Sequence, residues 1–539
     1  MGVLGYIWAG VLAVFQGPAL FDIFGIPVSI TLVMVFFGLL TGILVGATPG
    51  LAGPMAMAVS LPILISVFGY SKAALLPVMG FLIGVMKGAT VGGAVPAILF
   101  NTPGTPDAYL TTLDGYPMTR KGLSGKALRV SFFSSVCGDN ISDLVLFTCA
   151  PFLAIIVEAY LDLPEKTALI ILSLSFIAAV VGKSVAKGLI SMALGMLAAY
   201  IGTGEDFYPR LSFGLGAFAE GFSMSTVILG VLILGEVFRS MEDMWTEGGS
   251  RKLDTVITKD DNRLHWADIR RLLPYIRNSA FIGTLIGMLP GIGSTLAATL
   301  GYAAGKKVYE RRKAEEDPDF GEGVPEGVAS TEAANSAVSG ANLIPVLSLG
   351  IPGNAAAVFL ILAADSIGGF NPGPSVFKFT VDSVNPELVV AFGLFTTMVI
   401  ANILNWTVGG VFMRSMGVMA RIPKHILMPI VLLLTLTAIY VEQTNMDALI
   451  YTTAFGLLGY LFRRMKISPL PFVIAFILAE QLEETGRQAF ASTGGNVWFL
   501  FSSWTSTVFM VLSVGVIIAF TRKKEAKHDD LKESCQSEE

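Results

Sequence analysis

The feature that most constrains this chain is a succession of apolar runs, most of them long enough to cross a bilayer, between residues 3 and 520. They cover 3–24, 26–48, 72–100, 128–160, 164–181, 185–203, 221–238, 387–413, 425–441, 446–462 and 498–520. Shorter or interrupted runs lie at 54–68, 277–304, 333–364 and 470–482. In hydrocarbon every backbone N–H and C=O needs an internal partner, so runs of ~20 apolar residues read as α-helices. A chain that is 53% hydrophobic and only 14% charged is not a soluble enzyme. The expected fold is an all-α polytopic membrane protein with about 12 to 14 membrane segments, at ~20 residues per span. Three cysteines (Cys137, Cys149, Cys535) and three histidines (His265, His425, His528) match no disulfide or metal spacing. The first apolar run has no basic stretch before it and no convincing cleavage site, so it reads as a retained helix.

Lys and Arg cluster on the cytoplasmic side of membrane proteins. The basic stretches 119–129, 183–187, 239–277, 305–313, 414–424, 463–466 and 522–527 are therefore placed in the cytoplasm. The acidic or nearly neutral stretches 158–165, 204–210, 365–387, 442–447 and 483–497 are placed outside. One consistent path results, with both termini cytoplasmic. It requires 26–68 and 277–304 to enter and leave on one side, as re-entrant or broken-helix hairpins. Each carries a Pro-Gly pair near its middle, Pro49-Gly50 and Pro290-Gly291. Proline removes an amide donor and glycine loosens the backbone, so the helix must break there.

The two halves echo each other. GILVGATPGLAG (42–53) aligns with GTLIGMLPGIGS (283–294) at an offset of 241 residues, and PAILFNTPGT (96–105) aligns with PVLSLGIPGN (345–354) at 249. On the charge map the first hairpin enters from outside and the second from the cytoplasm. That is an inverted repeat, the signature of many secondary transporters, whose substrate lies where interrupted helices meet near the midplane. The expected organisation is an N-terminal helix (1–25), a first transport repeat (26–238) and a cytoplasmic connection (239–276). A second, inverted repeat (277–486), a final membrane helix (487–521) and a cytoplasmic tail (522–539) follow.

Several motifs are also familiar as a set. GATPGLAGP, FNTPGTPDAYLTTLDGYPMTRKG (100–122), GMLPGIGS (287–294), PEGVASTEAANSA (325–337), LIPVLSLGIPGNAAAV (343–358) and FILAEQLEETGRQAFASTGG (476–495) resemble the large permease subunit of the tripartite tricarboxylate transporters. The resemblance runs over nearly the whole chain. It implies a carrier in the bacterial inner (plasma) membrane that imports organic carboxylates, driven by sodium or protons. It also implies two partners, a periplasmic solute-binding protein and a small four-helix membrane subunit. Two positions depart from the family pattern: Lys87 replaces an aromatic residue in GVMKGATVGG, and Ser336 stands where the family often has a second asparagine in EAANSA. At the 249 offset these two are repeat mates.

An anionic substrate suits broken helices, because half-helix N-termini present free N–H groups and a favourable dipole. The candidate substrate positions are Thr48, Pro49, Gly50, Gly53, Asn101, Thr102, Gly104 and Thr105 from the first half. Pro290, Gly291, Ser294, Thr295, Pro352, Gly353 and Asn354 come from the second, and Lys87 would pair with a substrate carboxylate or stand in for a sodium ion. Candidate coupling-ion oxygens lie on Glu332, Asn335, Ser336 and Ser348. A blander reading competes at each position. The polar side chains merely satisfy broken backbone, Lys87 snorkels or pairs with an acid such as Asp139, and Glu332 caps a helix. Asp139 and Asp143, spaced i, i+4, line one aqueous face or mark a helix end. Glu220 and Glu480 suit a partner contact, and Glu483, Glu484 and Arg487 a solvated loop.

No cofactor motif is present. An intramembrane enzyme lacks its parts, with no HExxH, no GxSxG and no histidine beside the motifs. An anion channel is the other alternative, against which the paired hairpins favour alternating access.

Overall fold

The computed structural model describes residues 2–23, 26–48, 51–101, 105–180, 184–202, 204–205, 208–212, 218, 221–247, 264–289, 293–313, 317–368, 370–377, 384–411 and 424–536. The protein is all-α apart from two short antiparallel strand pairs. The expected N-terminal helix of 1–25 is shorter: α1 (Val3–Phe15) stops before Gly17-Pro18, and β1 (Ala19–Ile23) pairs with β2 (Ile26–Ser29). Proline and β-branched residues there favour the extended chain over a continued helix. The strands bring the chain into α2 (Ile30–Gly46), which breaks after Thr48 and resumes as α3 (Gly53–Phe68). The long α4 (Leu75–Phe100), α5 (Thr111–Arg120), α6 (Ser124–Tyr160), α7 (Leu163–Val180) and α8 (Val185–Ala199) complete the first half. A helix then runs through α9 (Met224–Ile228), a π turn at Leu229–Leu234 and α10 (Gly235–Glu247).

The second half opens with the same helix–break–helix order, α11 (Trp266–Gly287) and α12 (Gly293–Glu310), followed by α13 (Pro325–Ala341) and the short α14 (Leu343–Leu349). Then come α15 (Ala355–Ile367), α16 (Pro386–Leu404), α17 (Lys424–Gln443), α18 (Met446–Arg464), α19 (Leu470–Ser492) and α20 (Trp504–Gln536). The last helix continues through the expected tail of 522–539 as far as Gln536. Among the described residues, four helices are long and apolar enough to span a membrane outright: Lys72–Phe100, Met224–Trp245, Pro386–Gly409 and Trp504–Arg522. Shorter apolar helices, α2 and α3 among them, adjoin glycine or proline stops.

The chain forms two compact units, each drawing on both halves of the sequence. The first comprises residues 1–155, 247–289 and 293–430; the second comprises 156–246 and 431–539. In the first unit α2 lies against α4 with glycines facing backbone. A Cβ on Gly42 would stand 2.3 Å from the Val85 carbonyl oxygen, and one on Gly46 2.3 Å from that of Ala89. Gly84, Gly88 and Gly92 of α4 make the reciprocal approach to α2. This close packing is the small-residue mode by which membrane helices associate without a hydrophobic driving force.

The second half repeats the contact. Gly283 lies on Ala334 and Gly287 on Val338, with a Cβ on Gly283 only 2.2 Å from the Ala334 carbonyl oxygen. Ala334 and Val338 lie 249 residues after Val85 and Ala89, and the two glycines lie 241 after Gly42 and Gly46. The ends of these segments match as well. Asn101 stops α4 in a left-handed conformation at φ 53°, and Gly350, 249 residues on, stops α14 at φ 73°. Asparagine is among the few residues other than glycine that accept this geometry.

Candidate functional site

The densest polar chemistry in the first unit sits where α4, α6, α13 and α16 meet. Lys87 has no solvent exposure, and its ammonium lies 2.8 Å from Asp143 and 3.6 Å from Asp139. Both acids project from one face of α6, as their i, i+4 spacing requires. Glycine makes the approach of α6 to α13 this tight: a Cβ on Gly138 would lie 2.4 Å from the Ala333 carbonyl oxygen. Ser339 of α13 hydrogen-bonds to Asp139 Oδ1, and the Asn402 amide of α16 donates to Asp143 Oδ2 at 2.8 Å. Three acceptors in this buried cluster have no partner among the described residues: Asp139 Oδ2, Asp143 Oδ1 and Asn402 Oδ1.

Two carboxyl groups face one ammonium; with both ionised, one negative charge would be left in a medium where an uncompensated ion costs several kcal/mol. The unpartnered oxygens are the atoms this cluster could offer to a cation or a proton. Ser336, 249 residues after Lys87, is fully buried one helical turn before Ser339, and its hydroxyl has no partner among the described residues. Asn335 beside it is equally buried, with both amide atoms likewise unpartnered. α13 thus offers a strip of unused donors and acceptors.

Glu332 is not a helix cap. It lies midway along α13, fully buried, and accepts hydrogen bonds from Thr111 of α5 and, at 3.0 Å, from Ser135 of α6. It has no ion-pair partner among the described residues.

Several expected donors are spent on their own backbone. Thr48 donates to the Leu44 carbonyl at 2.9 Å, Ser348 donates to that of Ile344, and Asn354 caps α15 by accepting from Ala357 N–H at 2.9 Å. Asn101 is the left-handed stop already described. Gly53 and Gly353 serve close approach, Gly53 to the Ala89 side chain and Gly353 to the Asn342 amide; Pro352 is buried beside Gly353. Thr105 packs on Gly93 of α4, and Ser294 is half-buried in the first turn of α12. Thr295 links the halves, donating to Asp107 at 2.6 Å. Pro49, Gly50, Thr102, Gly104, Pro290, Gly291 and Glu220 lie outside the described residues.

One conspicuous group had no sequence signal of its own. Asp114 of α5 accepts from the backbone N–H groups of Gly321, Gly323 and Val324 at 2.8–3.0 Å and from the Tyr302 hydroxyl at 3.0 Å. Gly321 and Gly323 have φ of +102° and +97°, the backbone that lets three amides within four residues of the loop point at one carboxylate. Burial holds the Asp114 carboxyl above its ordinary value even against these donors. The loop before α13 is thereby tied to α5.

Residues 32–474 match the tripartite tricarboxylate transporter TctA family. The "Uncharacterized 52.8 kDa protein in TAR-I ttuC' 3'region" of Agrobacterium vitis is 32% identical over 516 residues, which cover 93% of this chain and 95% of that protein. The "Uncharacterized protein in TAR-II ttuC' 3'region" of Agrobacterium vitis is 30% identical over 254 residues, 46% of this chain and 98% of that protein. No solved structure matches the chain.

Proposed function

Because the chain belongs to the tripartite tricarboxylate transporter TctA family, it is a membrane permease component and not an enzyme, and from that premise we propose how it works. It imports organic carboxylates of the tricarboxylate or dicarboxylate type by ion-coupled alternating access. A periplasmic solute-binding protein delivers the substrate, and a small four-helix membrane subunit accompanies the chain in the bacterial inner membrane. Both termini face the cytoplasm.

The observation that carries this reading is the matched packing of the two broken hairpins. Gly42 and Gly46 meet α4 at the positions whose repeat mates receive Gly283 and Gly287 on α13. Repeats at 26–238 and 277–486, related by inversion, account for both this match and the charge map. The helix ends that flank the two breaks, at Gly46 and Gly53 and at Gly287 and Gly293, then offer backbone groups to a carboxylate substrate from both repeats.

Coupling is assigned to the Lys87–Asp139–Asp143 cluster, whose uncompensated negative charge takes up one proton or sodium ion per cycle. This extends the expected coupling-ion set of Glu332, Asn335, Ser336 and Ser348, of which Ser348 is the least suited because its hydroxyl donates to its own helix. Proteoliposome uptake of a labelled tricarboxylate, with and without the binding protein and under separately imposed sodium and proton gradients, tests the proposal. Uptake that needs the binding protein and follows one cation gradient is expected. Gradient-independent uptake, unaffected by the binding protein, would overturn it.

A further inference from the structure

The first unit carries a second polar site, away from the Lys87 cluster and built from opposite charge. A cavity of about 190 Å³ lies between the start of α11 and the end of α12. From α11 it is lined by Arg270, Arg271 and Tyr275, and from the end of α12 by Tyr309, Arg312 and Lys313. Two of these cations are committed: Arg271 pairs with buried Glu326, and Lys313 with Asp319. Arg270 lies over the Trp266 ring, its guanidinium carbon 5.8 Å from the centroid, and neither it nor Arg312 has an ion-pair partner among the described residues. Asp317 also lines the wall, so the uncommitted guanidinium groups outnumber the acid beside them.

The outer face of α11 places this cavity at a particular depth. Its exposed residues recur once per turn as Trp266, Arg270, Leu273, Arg277, Phe281, Leu285 and Leu289. The stripe is aromatic and basic at the end next to the cavity and purely apolar at the other. That gradient is the one a helix shows when its apolar end faces acyl chains and its Trp and Arg end lies among headgroups.

We propose that this pocket binds the phosphate of an anionic phospholipid in the leaflet at the basic end of α11. The planar fork of arginine matches phosphate oxygens two at a time, and Tyr275 supplies a further hydroxyl donor, that of Tyr309 being given to the Pro318 carbonyl. A soluble phosphate would use the same cations but would have no need of the apolar stripe beside them.

The test is native mass spectrometry of the full chain, delipidated in detergent, titrated with phosphatidylglycerol, phosphatidylcholine or inorganic phosphate. Phosphatidylglycerol should be retained over phosphatidylcholine. The double variant R312Q/K313Q, which leaves the Arg271–Glu326 pair intact, should weaken that retention by about tenfold or more. R464Q, a basic residue outside the pocket, should leave it unchanged, and thermal unfolding of each variant checks that it is folded. Displacement of the lipid by millimolar inorganic phosphate would overturn the lipid source and assign the pocket to a soluble phosphate. Equal retention of the two lipids, or unchanged binding by folded R312Q/K313Q, would overturn the site itself.

Discussion

The two compact units each bury a basic residue against carboxylates, and they do so in opposite ways. In the second unit Arg463 of α18 meets Glu236 of α10 at 2.7 Å and gives three further N–H donors to the carbonyl oxygens of Val231, Leu232 and Gly459 at 2.8–3.0 Å. Val231 and Leu232 lie in the π turn, where the altered hydrogen-bond register leaves carbonyls in need of donors. One cation meets one anion, and every bond has a purpose within the fold. In the first unit Lys87 meets two carboxyl groups, and three acceptors around it have no partner among the described residues. The contrast is between a cation matched to one acid and a cation set between two, and under the proposed function the second is where a coupling ion enters.

The largest effect should come from removing Lys87. K87M leaves two buried carboxylates without a cation, a loss of about 3–5 kcal/mol by the usual cost of an orphaned buried ion. Thermal unfolding in detergent should show it plainly, and K87R should rescue only in part, because the guanidinium is larger and forked. A K87M protein as stable as the parent would remove the deficit from the account.

R463M should cost less, about 1–3 kcal/mol, since the half-exposed Glu236 can regain water while the π-turn carbonyls lose their donors. Uptake per folded molecule should keep its dependence on the driving cation. Loss of that dependence would erase the distinction between the two units.

Alanine at Gly42 and at Gly283 probes the repeat itself. Each added methyl would strike a backbone carbonyl oxygen, at 2.3 and 2.2 Å, and overpacking of this kind costs roughly 1–3 kcal/mol. Uptake should fall in both variants. A defect confined to one would show that the two hairpins are not equivalent parts.

The smallest effect belongs to the exposed end of the second unit, where Arg210 grips Glu483 with two hydrogen bonds at 2.7 and 2.9 Å. That hydrogen bonding lowers the Glu483 carboxyl below its ordinary value of 4.5. Its contribution is therefore complete above that value and lost as pH falls through the lowered one. E483Q should flatten the stability profile only in that acid range, measured as melting temperature against pH. Flattening near neutrality would contradict the assignment.

Much of this was written plainly along the chain. Apolar runs located most helices, and the Pro-Gly pairs marked the breaks, because both signals are local. The 241 and 249 offsets pair Gly42 and Gly46 with Gly283 and Gly287, but that these glycines lie on α4 and α13 is known only from the structure. The site was less legible. Lys87 stood out as a charge in an apolar helix, but Asn402 and Ser339 are ordinary small polar residues until α16 and α13 bring them to Asp143 and Asp139. Thr48 and Asn354 read as substrate donors, and Ser348 as a coupling-ion oxygen, because their use by neighbouring carbonyls and amides depends on how each broken end closes. Asp114 was invisible for a similar reason: its partners are backbone amides of a loop about 200 residues away. The strand pair at 19–29 was hidden beneath an apolar run that Gly17-Pro18 interrupts.

The central claim is that the first unit is short of one positive charge and that transport supplies it. D143N tests this most directly, because replacing that carboxylate by a neutral amide leaves one carboxylate, Asp139, facing one ammonium. In proteoliposomes with the binding protein, D143N should remain folded but take up carboxylate at a rate indifferent to the imposed sodium or proton gradient. Wild-type protein should respond steeply to one of them. A folded D143N that follows the gradient as the wild type does would contradict the claim.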